Sequence, residues 1–206
     1  MDAALIAKCA DPDLGPAIVK QFLAAAGSDD PLAITVKQAG RLVLVPHSRA
    51  PREAIDVVRS HVGRAVVRVG LTQFPVGIGV SDASRLQATM FDPCENLRTG
   101  TAMFAKVARI VTRWYGSPTD RDLLPQMLED AIRAWKSGYF ETTNIFRAED
   151  PGGPTFIAAR PDEPEQAGAP PSHAANEGGG TGEVKDPVKP DEGGIRIDLS
   201  RIDGRK

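Results

Sequence analysis

The chain carries no surplus of positive charge: 25 Lys and Arg stand against 27 Asp and Glu in 206 residues. A domain built to neutralise phosphates usually shows a clear basic excess, so nucleic-acid binding is not expected as the main role. No apolar run approaches the roughly 18 residues of a spanning helix, and no membrane span is expected. The first residues, MDAALIAKCADPD, lack the basic n-region and the apolar length of a secretory signal. As written, the chain is expected in the cytoplasm. A periplasmic location follows if the true start lies elsewhere or if export takes a non-classical route.

Cysteine is equally scarce. Cys9 and Cys94 match no zinc spacing, and neither a metal nor a cofactor is expected. Two readings stay open. The missing export signal favours two half-buried thiols in a reducing compartment. The sharper reading is one disulfide tying the first helix to a later one, which requires an oxidising compartment. His47, His61 and His173 are far apart in the chain, and none belongs to a His-Glu-x-x-His pair. No nucleophile elbow, phosphate-cradling glycine loop or internal repeat occurs.

The composition breaks near residue 148. From Glu149 to Lys206 there are 10 Gly, 8 Pro and a single aromatic, Phe156. This stretch holds 7 basic and 12 acidic residues, a net of -5, which leaves +3 for the rest. It cannot bury enough apolar area to offset its ordering entropy, so a disordered, acidic Gly/Pro-rich tail is expected over 148–206. Ile195, Ile197 and Leu199 alternate with polar residues there and suit a strand formed on docking.

The segment 1–147 reads as helices around a hairpin. DLGPAIVKQFLAAAG has Pro16 in its first turn, Gly27 past its end, and an apolar face through Ile18, Phe22 and Ala25. LAITVKQAGRLVLV alternates around Gln38 to Arg41, which predicts a two-stranded hairpin. A third helix is opened by Pro51 and closed by Gly63. FDPCENLRTGTAMFAKVARIVTRWYG has the best start signal: Asp92 can cap, Pro93 takes the first helical position, and Glu95 completes a capping-box spacing. Its stripe runs through Leu97, Thr101, Phe104, Ala108, Val111 and Tyr115. A last helix covers LLPQMLEDAIRAWKSG, with its main part starting at Pro125. The sum is an α+β domain, mainly α, of about five helices and a small β-hairpin.

Four segments in order carry a resemblance. Asp30-Pro31-Leu32-Ala33-Ile34, Gly70-Leu71-Thr72-Gln73-Phe74, Asp92-Pro93-Cys94-Glu95-Asn96-Leu97 and Trp135-Lys136-Ser137-Gly138 are similar to motifs of type IV secretion lytic transglycosylases. The whole pattern is closer still to the TraH conjugal transfer proteins of rhizobial and agrobacterial plasmids, on KCADP, VGRAVVRVG and EDAIRAWKSGYFE. The resemblance implies a lysozyme-like helical domain and a role in plasmid conjugation. It also implies a cleft, with Ser28, Asp29, Asp30, Gln73 and Trp135 as candidate residues.

One departure decides the expected chemistry. Where the transglycosylase pattern has Glu-Ser-Gly, this chain has Ala26-Gly27-Ser28. Glycosidic cleavage needs a carboxylic acid within about 3 Å of the transferred proton, and Ala26 offers none. Asp29 and Asp30 lie beyond the helix end with a shorter side chain. Each candidate also has a plain structural role: Gln73 in a buried turn, Trp135 and Tyr139 as core aromatics, Glu95 as a cap. The expectation is a non-catalytic accessory protein of conjugal transfer, partnered by peptidoglycan or by components of the transfer apparatus. The rivals are a divergent transglycosylase using Asp29 or Asp30, and a cytoplasmic scaffold acting through its tail.

Overall fold

The protein's structure, a computed structural model, describes residues 2–79 and 82–155. The expected tail therefore lies outside the described residues from 156 onward. The described part does not stop at 147. It continues through Thr155, whose hydroxyl donates to the carbonyl of Asp13 at 2.6 Å.

Five α-helices occur among the described residues: α1 (Ala3–Cys9), α2 (Pro16–Ala26), α3 (Pro51–His61), α4 (Pro93–Trp114) and α5 (Leu124–Ser137). Their starts follow the chain's local chemistry. Proline occupies the first turn of α2, α3, α4 and α5, where the missing N–H costs nothing. Asp92 caps α4 by accepting from the N–H groups of Cys94 and Glu95, each at 3.0 Å. The expected capping box forms only in this half. Glu95 pairs with Arg98 instead, and the Asp92 N–H donates to Thr89.

The hairpin expected around Gln38 to Arg41 is present as β1 (Ile34–Gln38) and β2 (Arg41–Val43), turning at Ala39-Gly40. It is not isolated. β3 (Val66–Val69) and β4 (Phe74–Val76) extend it to an antiparallel sheet in the order β2-β1-β3-β4. A short β5 (Tyr139–Phe140) and β6 (Thr143–Asn144) make a second hairpin. Within the larger sheet, Val36 lies opposite Val43 and Val67, and Val67 opposite Val76. Val36 and Val67 are fully buried, so this row faces the core.

The core centres on rings from three helices. Phe22 of α2 stacks on Phe104 of α4 at 4.0 Å, and Trp135 of α5 meets both edge-on at 5.2 and 5.9 Å. Such pairs add about 1 kcal/mol each beyond the area they bury. On α2 the buried seam is Val19, Phe22 and Leu23, while Ala25 of the expected face is exposed. The α4 stripe buries Leu97, Thr101, Phe104, Ala108 and Val111 as read from the sequence, with Tyr115 partly covered. Asn96 and Gly100 are buried beside it because α4 also packs on the sheet.

Cys9 and Cys94 are joined as a disulfide between the end of α1 and the start of α4. The structure thus takes the sharper of the two cysteine readings, and the free-thiol expectation gives way.

Candidate functional site

The end of α2 sits against the turn between β3 and β4. The N–H of Ser28 donates to the carbonyl of Leu71 at 2.8 Å. A Cβ at Gly27 would lie 2.5 Å from that same carbonyl oxygen, so only glycine permits this approach. The turn itself, Gly70 to Gln73, is held from the other side by Asn96. Its Oδ1 accepts from the Thr72 N–H and hydroxyl, both at 2.9 Å, and its Nδ2 donates to the carbonyls of Val69 and Met90. Gly70 has φ +67, and a side chain there would collide with the Asn96 amide. Two segments far apart in sequence, Gly70–Phe74 and Asp92–Leu97, are therefore one unit in space.

This junction walls a cavity of about 330 Å³ lined by Ala26, Gly27, Ser28, Ala33, Thr35, Lys37, Arg68, Gln73, Trp135 and Lys136. Of the residues expected to form a cleft, Ser28, Gln73 and Trp135 come together here, with Ala26 beside them. Asp29 and Asp30 do not. Asp30 turns back to accept from the Leu32 N–H at 2.8 Å and to meet His47 Nε2 at 3.1 Å. Asp29 lies at a separate pocket, with Lys20, Leu23 and Ala24 of α2. Among the described residues, no carboxylate lines the cavity.

The side chains that do reach the cavity are mostly committed to the protein. Gln73, at φ 51, accepts from the Thr35 hydroxyl at 2.7 Å and donates through Nε2 to the carbonyl of Gly70 at 2.9 Å. One amide proton is left for any guest. Trp135 contributes to the cavity wall but is 0% exposed, so it presents no face for a sugar to stack on. Tyr139, in contrast, is largely exposed. His61 is tied to the carbonyl of Val57 and has no place in the cavity.

Arg68 is the residue that sequence reasoning missed. It stands in β3 between buried valines and is 9% exposed. Its guanidinium donates to the carbonyls of Gln73 at 2.9 Å and Trp135 at 2.5 Å. Desolvation pushes its pKa down to about 10, which leaves it charged at neutral pH. Among the described residues no carboxylate pairs with it. The C-terminal carbonyls of α5 supply the partial negative charge instead. A signal was available: one arginine inside an otherwise apolar strand, Val66-Val67-Arg68-Val69. Lys37 and Lys136 add to it, so among the described residues the cavity is cationic and without an acid, and it is shaped by four segments whose positions interlock.

Comparison with known proteins gives two matches. A family model described as TraH_2 matches residues 1–204. The uncharacterized protein y4dP of Sinorhizobium fredii is 53% identical over 206 residues, covering 99% of each chain. No solved structure matches.

Proposed function

The chain belongs to the TraH_2 family, which associates it with conjugal transfer, and on that premise we propose that it is a non-catalytic binding protein of the transfer apparatus. Its cleft is of the transglycosylase kind and has lost the proton donor. The observation that carries this reading is the cavity beside Gln73. Ala26 stands at its edge, Asp30 is engaged with His47, and Lys37, Arg68 and Lys136 are its ionisable groups. A general acid must sit within about 3 Å of the bond it protonates and must hold a raised pKa. A cationic lining works against the second requirement, since it favours the ionised form of any carboxylic acid brought near it.

The expected occupant is peptidoglycan or a protein of the transfer apparatus, with Ser28 and the free Gln73 amide proton as neutral contacts. The Cys9–Cys94 bond supports action in an oxidising compartment, where the cell wall is within reach. The deciding experiment incubates the full chain with purified sacculi and measures soluble muropeptides and sedimented protein. Co-sedimentation without muropeptide release is the expected outcome. Release that disappears on Asp29→Asn with Asp30→Asn would instead establish a divergent enzyme. Trapping of thiols in intact cells tests the compartment: the Cys9–Cys94 pair is expected to resist labelling until a reductant is added.

A further inference from the structure

The outer face of the four-stranded sheet gathers charge of one sign together with exposed apolar side chains. Ladder partners point the same way. Leu42, Lys37 and Val66 thus form one row across β2, β1 and β3, and Thr35, Arg68 and Pro75 form the next. Leu42 is 62% exposed, Val66 54%, and Leu44, two residues beyond Leu42, 92%. A groove of about 460 Å³ runs between this face and the β5–β6 hairpin, walled by Lys37, Arg64, Arg68, Arg147, Ile78 and Tyr139 among others. It shares Lys37 and Arg68 with the cavity beside Gln73, and among the described residues no carboxylate lines either space. Of six large hydrophobic side chains exposed among the described residues, Val66, Ile78 and Tyr139 line this groove and Leu42 stands in the row beside it.

The charges differ in what they are free to do. Arg68 and Arg64 donate to carbonyls at the ends of α5 and α3, and Lys136 donates to Ala25 at the end of α2. Lys37 and Arg147 are exposed and have no side-chain partner among the described residues. Three helix C-termini converge here, so the backbone offers carbonyls rather than the N–H donors that a compact phosphate pocket uses. An added peptide strand is also poorly served. The β4 edge carries Pro75, which has no N–H to give, and β2 is only three residues long. What remains suited to this face is a broad anionic surface with an apolar layer just beneath it.

We infer that the outer sheet face docks on a membrane surface bearing anionic phospholipid. Leu42 and Leu44 enter the interface, and Lys37 and Arg147 lie against the headgroups. This does not depend on whether the Gln73 cavity cleaves or merely binds.

The test is flotation of the full chain with phosphatidylcholine vesicles, with and without phosphatidylglycerol. Binding is expected only where phosphatidylglycerol is present, and it should weaken as salt rises. Lys37→Glu with Arg147→Glu should lower the partition coefficient by roughly twentyfold or more, since each basic side chain near such a surface is worth about fivefold. Leu42→Ser with Leu44→Ser should lower it about tenfold or more. Both pairs sit at solvated positions, and an unchanged thermal melt shows that the fold is intact. The inference is overturned by equal partition into neutral vesicles, by no flotation, or by flotation indifferent to both variant pairs. It is equally overturned if single-stranded DNA or polyglutamate binds more tightly through Lys37 and Arg147 and strips the chain from lipid.

Discussion

Asn96 shows how much one side chain can hold. Its amide uses Oδ1 and Nδ2 on four groups: the Thr72 N–H and hydroxyl, and the carbonyls of Val69 and Met90. All sit in or beside the turn that forms the cavity wall. Asn96→Ala removes the amide from groups that are buried or partly buried, leaving the Thr72 hydroxyl only the Asn96 carbonyl at 3.4 Å, and each lost buried partner costs about 1–3 kcal/mol before relaxation. The variant is expected to lose about 3 kcal/mol or more in urea denaturation, while Leu42→Ser, at an exposed site, changes stability by less than about 0.5 kcal/mol. Similar losses for the two would sink this account of Asn96. Gly27→Ala belongs to the same junction. The added methyl would meet the Leu71 carbonyl at 2.5 Å, so α2 and the turn must separate. A loss of about 1–3 kcal/mol is expected, together with weaker binding to sacculi.

At the scale of elements, the disulfide sets the energetics of α1. This helix is only seven residues long and too short to persist alone in water. Cys9–Cys94 ties it to α4 across a sequence separation of 85. In the chain-entropy account a loop of that length stabilises by on the order of 4 kcal/mol. Dithiothreitol should therefore lower the melting temperature of the native chain and leave that of a Cys9→Ala, Cys94→Ala variant unmoved. Equal melting of oxidised and reduced protein would remove the bond from the stability account. The helices themselves were legible because prolines, Asp92 and the α4 stripe mark them locally. The β3–β4 pair was not. VRVGLTQFPVGIGV alternates only in short pieces on either side of Gly70–Gln73, and the turn that pairs them depends on a helix more than twenty residues away. The same holds for the site. Ala26, Ser28 and Gln73 could be placed by motif order, but Arg68 and Asn96 acquire their roles only when α5 and α4 arrive.

Across the whole molecule, the two ends of the described chain meet on α4. Arg109, 13% exposed, binds Asp150 through two nitrogens at 2.8 and 2.5 Å and reaches Asp13 at 3.2 Å. Thr155 then fastens the segment to the carbonyl of Asp13. The hydrogen bond from Arg109 holds the Asp150 carboxyl below its ordinary range, and the same bond raises the arginine. A carboxylate whose folded pKa is depressed contributes stability fully above its unfolded value, and loses it as pH falls through the lowered folded value. The segment 148–155 should therefore stay fastened at neutral pH and come loose in acid before α4 itself opens. Asp150 is partly solvated, so the effect is local rather than global. Hydrogen exchange reads it directly, because the Gly152 N–H donates to Asp150 Oδ1 at 3.0 Å. Corrected for intrinsic rate, protection at Gly152 is expected to fall below pH 4 or so while protection in α4 persists. Asp150→Ala, which removes the acceptor, should abolish that protection at neutral pH. Protection that ignores both acid and the substitution would mean that Thr155 and packing alone hold the segment in place.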